Sequence, residues 1–255
     1  MERERENARD ISGIFLLDKA KGESSNSALQ RVKRIFGARK AGHTGSLDPL
    51  ATGVLPICFG EATKVSQFLL EANKRYLVKI KLGERTDSGD SQGKIIEVKE
   101  RIKVNFKNLR FALNKFEGEI KQLPPMYSAL KHKGKPLYKF AREGRTVERK
   151  LRTINIYKNT LVSYDDNIVE IDVTCSKGTY IRSLADDLGQ DLGCGAHVIE
   201  LRRTKAGRFS ADGCKDLEKL ESIKESQGLG ALDELLIPMD QAIVEMPQVS
   251  LGHDT

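Results

Sequence analysis

The stretch AGHTGSLDPLATGVLP, residues 41–56, sets one carboxylate, Asp48, among Gly42, Gly45, Pro49 and Gly53. Proline disfavours the helical region for the residue before it, and the glycines let the neighbouring backbone turn sharply, so Asp48 belongs on a loop. An aspartate with an ordinary pKa near ~3.9 is ionised at neutral pH and can act as a nucleophile or accept a proton. His43, Thr44 and Ser46 add polar groups beside it, and the apolar run VLPICF that follows can anchor the loop on a core. A second reading stands beside the catalytic one: Asp48 caps a helix whose first residue is Pro49. Burial would raise the pKa of such a carboxylate, and an arginine would offset the rise. TYIRSLADDLGQDLG offers Arg182 in the first turn of a predicted helix, where the helix dipole disfavours a cation and a nearby anion is welcome. From the residues alone, Arg182 serves equally well as a local partner of Asp186, a contact worth about 0.3–0.5 kcal/mol.

The elements that must carry these groups show both periodicities. SALQRVKRIFG puts Leu29, Val32 and Phe36 on one face, has Ser24, Ser25 and Ser27 as available caps and stops at Gly37, which predicts a short amphipathic helix. EATKVSQFLLEA predicts another through Val65, Phe68, Leu69 and Ala72. YLVKIKL alternates, with Tyr76, Val78, Ile80 and Leu82 on one side and Lys79 and Lys81 on the other, as does IVEIDVTC through Val169, Ile171, Val173 and Cys175: two half-buried strands. TYIRSLADDLGQDLG returns to the helical period through Ile181, Leu184, Ala185, Leu188 and Leu192. Without a regular βαβ rhythm, the mixture favours α+β with mainly antiparallel pairing over a doubly wound sheet.

Several classes of function fall away. The 255 residues contain neither GxGxxG nor a P-loop, no run of about 18 apolar residues, and no apolar segment in the opening MERERENARD. We therefore expect no nucleotide cofactor, no membrane span and a cytoplasmic protein. Cys58, Cys175, Cys194 and Cys214 are far apart and the four histidines form no ligand pattern, so buried reduced thiols are expected and a metal is not. TDSGD at 86–90 reads as a polar hairpin turn rather than a calcium loop.

Charge points to a partner. Net charge is +7, and between Lys131 and Arg152 nine Lys/Arg face only Glu143 and Glu148. Residues 31–40 add five bases and residues 201–208 four, whereas residues 212–240 carry eight acids against three lysines. A lone charge run is ordinarily a solvated face. Three basic clusters interleaved with Phe36, Tyr138, Phe140 and Phe209 suit a polyanion, most naturally a nucleic acid gripped by its phosphates.

GHTGSLDPLATGVLPICFGEATK, residues 42–64, resembles the signature of the TruB family, tRNA pseudouridine synthases that isomerise the uridine of the TΨC loop, tRNA position 55. GIFLLDKAKGESSN (13–26), KRYLVKIKLGERTDSGDSQG (74–93), QLPPMYSALKHKGKPLYKFAREG (122–144), CSKGTYIRSLADDLG (175–189) and VIELRRTKAGRF (198–209) resemble further family motifs, in family order. The resemblance implies a pseudouridine synthase fold, α+β with a mixed, mainly antiparallel central sheet, flanking helices and a basic RNA-binding insertion at 120–152. It implies a catalytic domain over 11–240, with 241–255 as the stub of a truncated or absent PUA-like domain. It makes Asp48 the catalytic aspartate, Tyr76 the tyrosine packed on the target base, and Tyr180 and Arg182 the pair at the head of a helix. His43 meets the RNA beside the flipped nucleotide and Leu201 lines the pocket; Lys131, Lys133, Arg142, Arg202 and Lys205 bind substrate. Ala20 departs from the family's usual proline.

The chemistry of uridine isomerisation suits such a set. The N1–C1′ bond breaks, the base turns and a C5–C1′ bond forms, with no redox step and no group lost. Asp48 serves as nucleophile or removes a sugar proton; Tyr180 exchanges the C5 proton or orients Asp48; Tyr76 is a stacking platform or ordinary core. Stacking worth about 1–3 kcal/mol offsets the few kcal/mol of base flipping, leaving net affinity to the basic insertion. The expected protein is a monomer acting on tRNA without cofactor, metal or guide RNA. A non-catalytic tRNA chaperone and a guide-dependent synthase for ribosomal RNA are the alternatives.

Overall fold

The computed structural model describes residues 8–244. In chain order its main elements are β1 (Gly13–Lys19), α1 (Ser25–Phe36), β2 (Ala41–His43), β3 (Thr52–Phe59), α2 (Ser66–Glu71), β4 (Lys74–Leu82), β5 (Glu84–Thr86), β6 (Ile95–Val98), α3 (Phe106–Asn114), β7 (Gly118–Gln122), β8 (Lys131–His132), β9 (Lys135–Pro136), α4 (Leu137–Arg142), β10 (Arg152–Asp165), β11 (Ile168–Cys175), α5 (Ile181–Asp191), β12 (Ala196–Ala206), β13 (Phe209–Ser210) and α6 (Leu217–Asp233). They fall into two compact units interleaved in sequence. The first takes residues up to Asp48, Gly53–Ala72 and the chain from Arg208; the second takes Pro49–Thr52 and Asn73–Gly207.

In the first unit β1 runs antiparallel to β3, from Gly13 opposite Phe59 to Lys19 opposite Gly53, and β2 pairs with the far end of β3. β3 is buried almost throughout, as its apolar run requires. The amphipathic helix α1 forms as its sequence dictates: Ser24 accepts from the Ser27 N–H at one end, and Gly37 at φ 64° ends the other. Its Phe36 ring packs in tilted geometry against Phe15 and Phe59, at centroid distances of 5.4 and 4.8 Å. The stretch predicted as one helix over 61–72 splits instead. A 3₁₀ turn covers Gly60–Lys64, Val65 sits at φ −94°, ψ 0°, and α2 has six residues, with Leu69 buried while Val65 and Phe68 are only half-buried.

The second unit is built on β4, flanked by β11 and β12, with β10 beyond β11 and β7 beyond β10, every pair antiparallel. The predicted alternation holds: Tyr76, Val78, Ile80 and Leu82 are buried on the same face as Val169, Ile171 and Val173. The opposite face carries charge, with Arg75 paired to Asp172 and Lys79 to Glu200 at 2.9 Å. α5 packs across β12 on the apolar side, and α3 packs on β10. A Cβ on Gly189 of α5 would collide with the Ala196 amide nitrogen, so glycine sets how closely helix and strand approach. The protein is thus α+β with mainly antiparallel sheets and flanking helices. Cys58, Cys175 and Cys194 are buried thiols in no disulfide, and Cys214 is half-buried, its Sγ donating to the Ser210 carbonyl at 3.5 Å. Of the segment 241–255, residues 245–255 lie outside the described residues.

Candidate active site

Asp48 lies on the loop between β2 and β3, and no helix starts at Pro49, so the capping reading is not realised. The loop is held at the residue before Asp48. Ser25 Oγ, buried at the head of α1, accepts from the Leu47 N–H at 2.7 Å and donates to the Leu47 carbonyl at 3.0 Å, while Leu47 itself is buried. Upstream, the Thr44 N–H bonds the Pro56 carbonyl at 3.0 Å and Gly45 takes φ 77°. Asp48 itself is half-buried. His43, half-buried, ends β2 opposite Ile57. Lys19 is fully buried and donates to the carbonyls of Ala20, at 2.7 Å, and Glu23, at 2.8 Å, so the turn where Ala20 replaces proline is tied by a lysine.

In the second unit Arg182 is 4% exposed. Its Nη1 donates to the Ser88 carbonyl at 2.8 Å, its Nη2 donates to the Tyr127 carbonyl at 2.7 Å, and its Nε lies 3.7 Å from Asp90 Oδ2. A guanidinium taken out of water needs this density of acceptors. Asp186, the local partner considered for Arg182, is engaged bidentately by Arg85 at 2.7 and 3.1 Å; Arg85 also reaches Glu97 at 3.1 Å, which clamps the β5–β6 hairpin to α5. TDSGD is a turn in which Thr86, Ser88 and Asp90 are buried while Asp87 is exposed. Asp90 Oδ1 accepts from Ser88 Oγ at 2.8 Å and from the Gln92 N–H at 3.0 Å, and the Thr86 hydroxyl donates to the Asp90 carbonyl at 2.7 Å.

Tyr180 is the N-cap residue of α5 and half-buried. Tyr76 is buried at the middle of the sheet, between Val173 and Arg203 in register. Leu201 faces Val78 across the same ladder, so Tyr76 and Leu201 share a face. Arg202, opposite Leu77, and Lys205, opposite Arg75, lie on the other face, with Lys205 exposed and Arg202 Nη1 3.5 Å from Thr52 Oγ1. The arginine on the Tyr76 face is Arg203, 1% exposed, which charge counting placed in a basic cluster and strand alternation would have set apart as buried.

The basic insertion has its own small frame. β8 and β9 form a hairpin tipped by Lys133 at φ 48° and Gly134 at φ 82°, and α4 follows with Leu137 and Phe140 buried. Phe140 carries Lys135 at 4.7 Å and Arg145 at 5.2 Å over its ring, and Arg142 stands 5.3 Å from the Tyr138 ring. Lys131, Lys133, Lys139 and Arg142 are exposed. Among the described residues there is no cluster of three His, Cys, Asp or Glu side chains able to hold a metal, and no helix long and apolar enough to cross a membrane.

Residues 33–181 match the family model for the N-terminal domain of TruB family pseudouridylate synthases, and residues 182–244 match that for the C-terminal domain of tRNA pseudouridylate synthase B. The chain belongs to the TruB family. It is 53% identical over 254 residues to tRNA pseudouridine synthase B of Mannheimia succiniciproducens, covering 100% of this chain and 83% of the relative. The Haemophilus influenzae protein of the same name is also 53% identical over 254 residues, covering 100% of this chain and 81% of the relative. Among solved structures, a chain of a Cbf5–Nop10–Gar1 complex superposes with a TM-score of 0.74 at 31% identity, covering 96% of this chain and 65% of that one. The archaeal box H/ACA Nop10–Cbf5 complex gives 0.68 at 29%, covering 93% and 62%. The chain shares its fold with these chains. The family boundary at 181/182 falls between Ile181 and Arg182, inside the first turn of α5.

Proposed function

We propose that this protein converts uridine to pseudouridine in the TΨC loop of tRNA, at position 55, acting as a cytoplasmic monomer without guide RNA or cofactor. The observation that carries this reading is identity of 53% across essentially the whole chain with proteins named tRNA pseudouridine synthase B. The similarity to chains from guide-RNA particles is weaker, at 28–31%. Nothing favours the chaperone or guide-dependent alternatives.

Asp48 is the group that works on the nucleoside, by attack at C1′ or by removal of a sugar proton. Once the N1–C1′ bond has broken, the base turns, C5 bonds to C1′, the C5 proton leaves and N1 takes one up, so the atoms balance without a co-reactant. Arg182 stands with Tyr180 at the head of α5 as the cation of the set, Tyr76 stacks on the extruded base, Leu201 lines its pocket and His43 fills the space it leaves. Tyr180 serves the C5 proton or orients Asp48. Lys131, Lys133, Arg142, Arg202 and Lys205 hold phosphates, which stabilises a complex that stacking alone leaves near balance with the cost of flipping.

The test is purified protein with an unmodified T-stem-loop transcript and no added RNA, scored for pseudouridine by position. Conversion of the uridine corresponding to position 55 is expected. A strict requirement for a guide RNA, or tight binding with no conversion, would overturn the proposal.

A further inference from the structure

The head of α5 is fastened to the segment that leaves β7. Gln122, the last residue of β7 and 2% exposed, spends both ends of its side-chain amide on one residue's backbone: its Oε1 accepts from the Tyr180 N–H at 2.8 Å and its Nε2 donates to the Tyr180 carbonyl at 3.0 Å. That carbonyl also accepts the first helical bond of α5, from the Leu184 N–H at 3.1 Å. Two further bonds run the same way. Arg182 Nη2 donates to the Tyr127 carbonyl at 2.7 Å and Ser183 Oγ to the Leu123 carbonyl at 3.1 Å. Tyr180 offers no side-chain cap to its own helix. A single hydrogen bond would leave the Tyr180 backbone free to rock; two from one planar amide fix its orientation and with it the direction in which the tyrosine leaves the backbone.

We propose that Gln122 is a positioning residue for isomerisation: its amide fixes the Tyr180 backbone and so aims Tyr180 and Arg182. This rests on the reading of Tyr180 and Arg182 as active-site groups. Displacements of a catalytic group by about 1 Å cost up to about a hundredfold in rate, whereas RNA affinity, set by phosphate contacts on the insertion surface, does not depend on this backbone.

The experiment compares the single-turnover rate of pseudouridine formation with the Kd for the same T-stem-loop RNA. Gln122→Met removes both hydrogen bonds at nearly constant volume, and Gln122→Glu keeps the acceptor and loses the donor. Asn159→Ala is the control, removing a buried amide on β10 that donates to the Leu113 carbonyl at 3.2 Å. Expected are a rate for Gln122→Met lower by about tenfold or more with Kd within about threefold of wild type, an intermediate rate for Gln122→Glu, and a wild-type rate for Asn159→Ala despite a lower Tm. The inference falls if Gln122→Met reacts within twofold of wild type, if Asn159→Ala slows the reaction equally, or if neither Gln122 variant folds, which would make the residue structural. A wild-type protein that leaves the stem-loop unmodified would fail the functional reading itself.

Discussion

Ser25 shows how one small polar side chain holds a loop. With its hydroxyl on both polar groups of Leu47, it fixes the backbone that leads into Asp48. Ser25→Ala leaves a buried N–H and C=O without that partner, at a cost of about 1–3 kcal/mol. The expected outcome is a lower Tm and slower isomerisation at unchanged RNA affinity. Asp187 carries the opposite kind of strain. Burial pushes its carboxyl up from the usual range and the neighbouring Asp186 charge adds to the rise. Its raised folded pKa means that ionisation opposes folding, so this stability is present at low pH and lost as pH rises through the folded value. Asp187→Asn should therefore raise Tm at neutral pH, with the gain vanishing as pH falls below about 4, where an ordinary aspartate is protonated in the unfolded chain as well. Thermal melts of both proteins across a range of acidic to neutral pH check the sign. Burial likewise pushes the Cys58 thiol up to about 12 and the Cys175 thiol to about 11, consistent with inert core thiols.

Among the elements, α5 depends on close approach. Gly189→Ala would drive a methyl into the Ala196 backbone, and overpacking of this kind costs about 1–3 kcal/mol. The variant should lose several degrees in Tm, measured by calorimetry. The periodic elements were legible in sequence: α1 with its serine cap and terminal glycine, β4 and β11 with their alternating faces, and α5. α3 was not, because Phe106 and Phe111 point outward while only Leu109, Ala112 and Leu113 are buried, which blurs its apolar stripe. α6 was hidden by an acidic surface and by Gly228, whose φ of 81° kinks the helix. Of the candidate site, Asp48 on a loop, Tyr76 on a strand and Tyr180 with Arg182 at a helix head were readable. Their fastenings were not. Ser25 looked like a helix cap, TDSGD like a polar hairpin turn, and Gln122 like nothing in particular, because each bonds backbone more than twenty residues away or a guanidinium from another element.

For the whole molecule, the sequence displays its charge but not its two interleaved units, which depend on returns of the chain that no local pattern encodes. The exposed lysines of the insertion make its charge a surface property, and surface charge on a polyanion is read through salt. Replacing Lys131 and Lys133 by glutamine should weaken RNA binding and lower the slope of log K against log salt by about 0.7–0.9 for each phosphate that is no longer neutralised. An unchanged slope would mean that the insertion does not grip phosphates. In the proposed mechanism the Asp48 carboxylate performs the isomerisation, and the decisive measurement is single-turnover pseudouridine formation by Asp48→Asn on the T-stem-loop. We predict no detectable product with RNA affinity within several-fold of wild type; appreciable turnover by that variant would contradict the assignment.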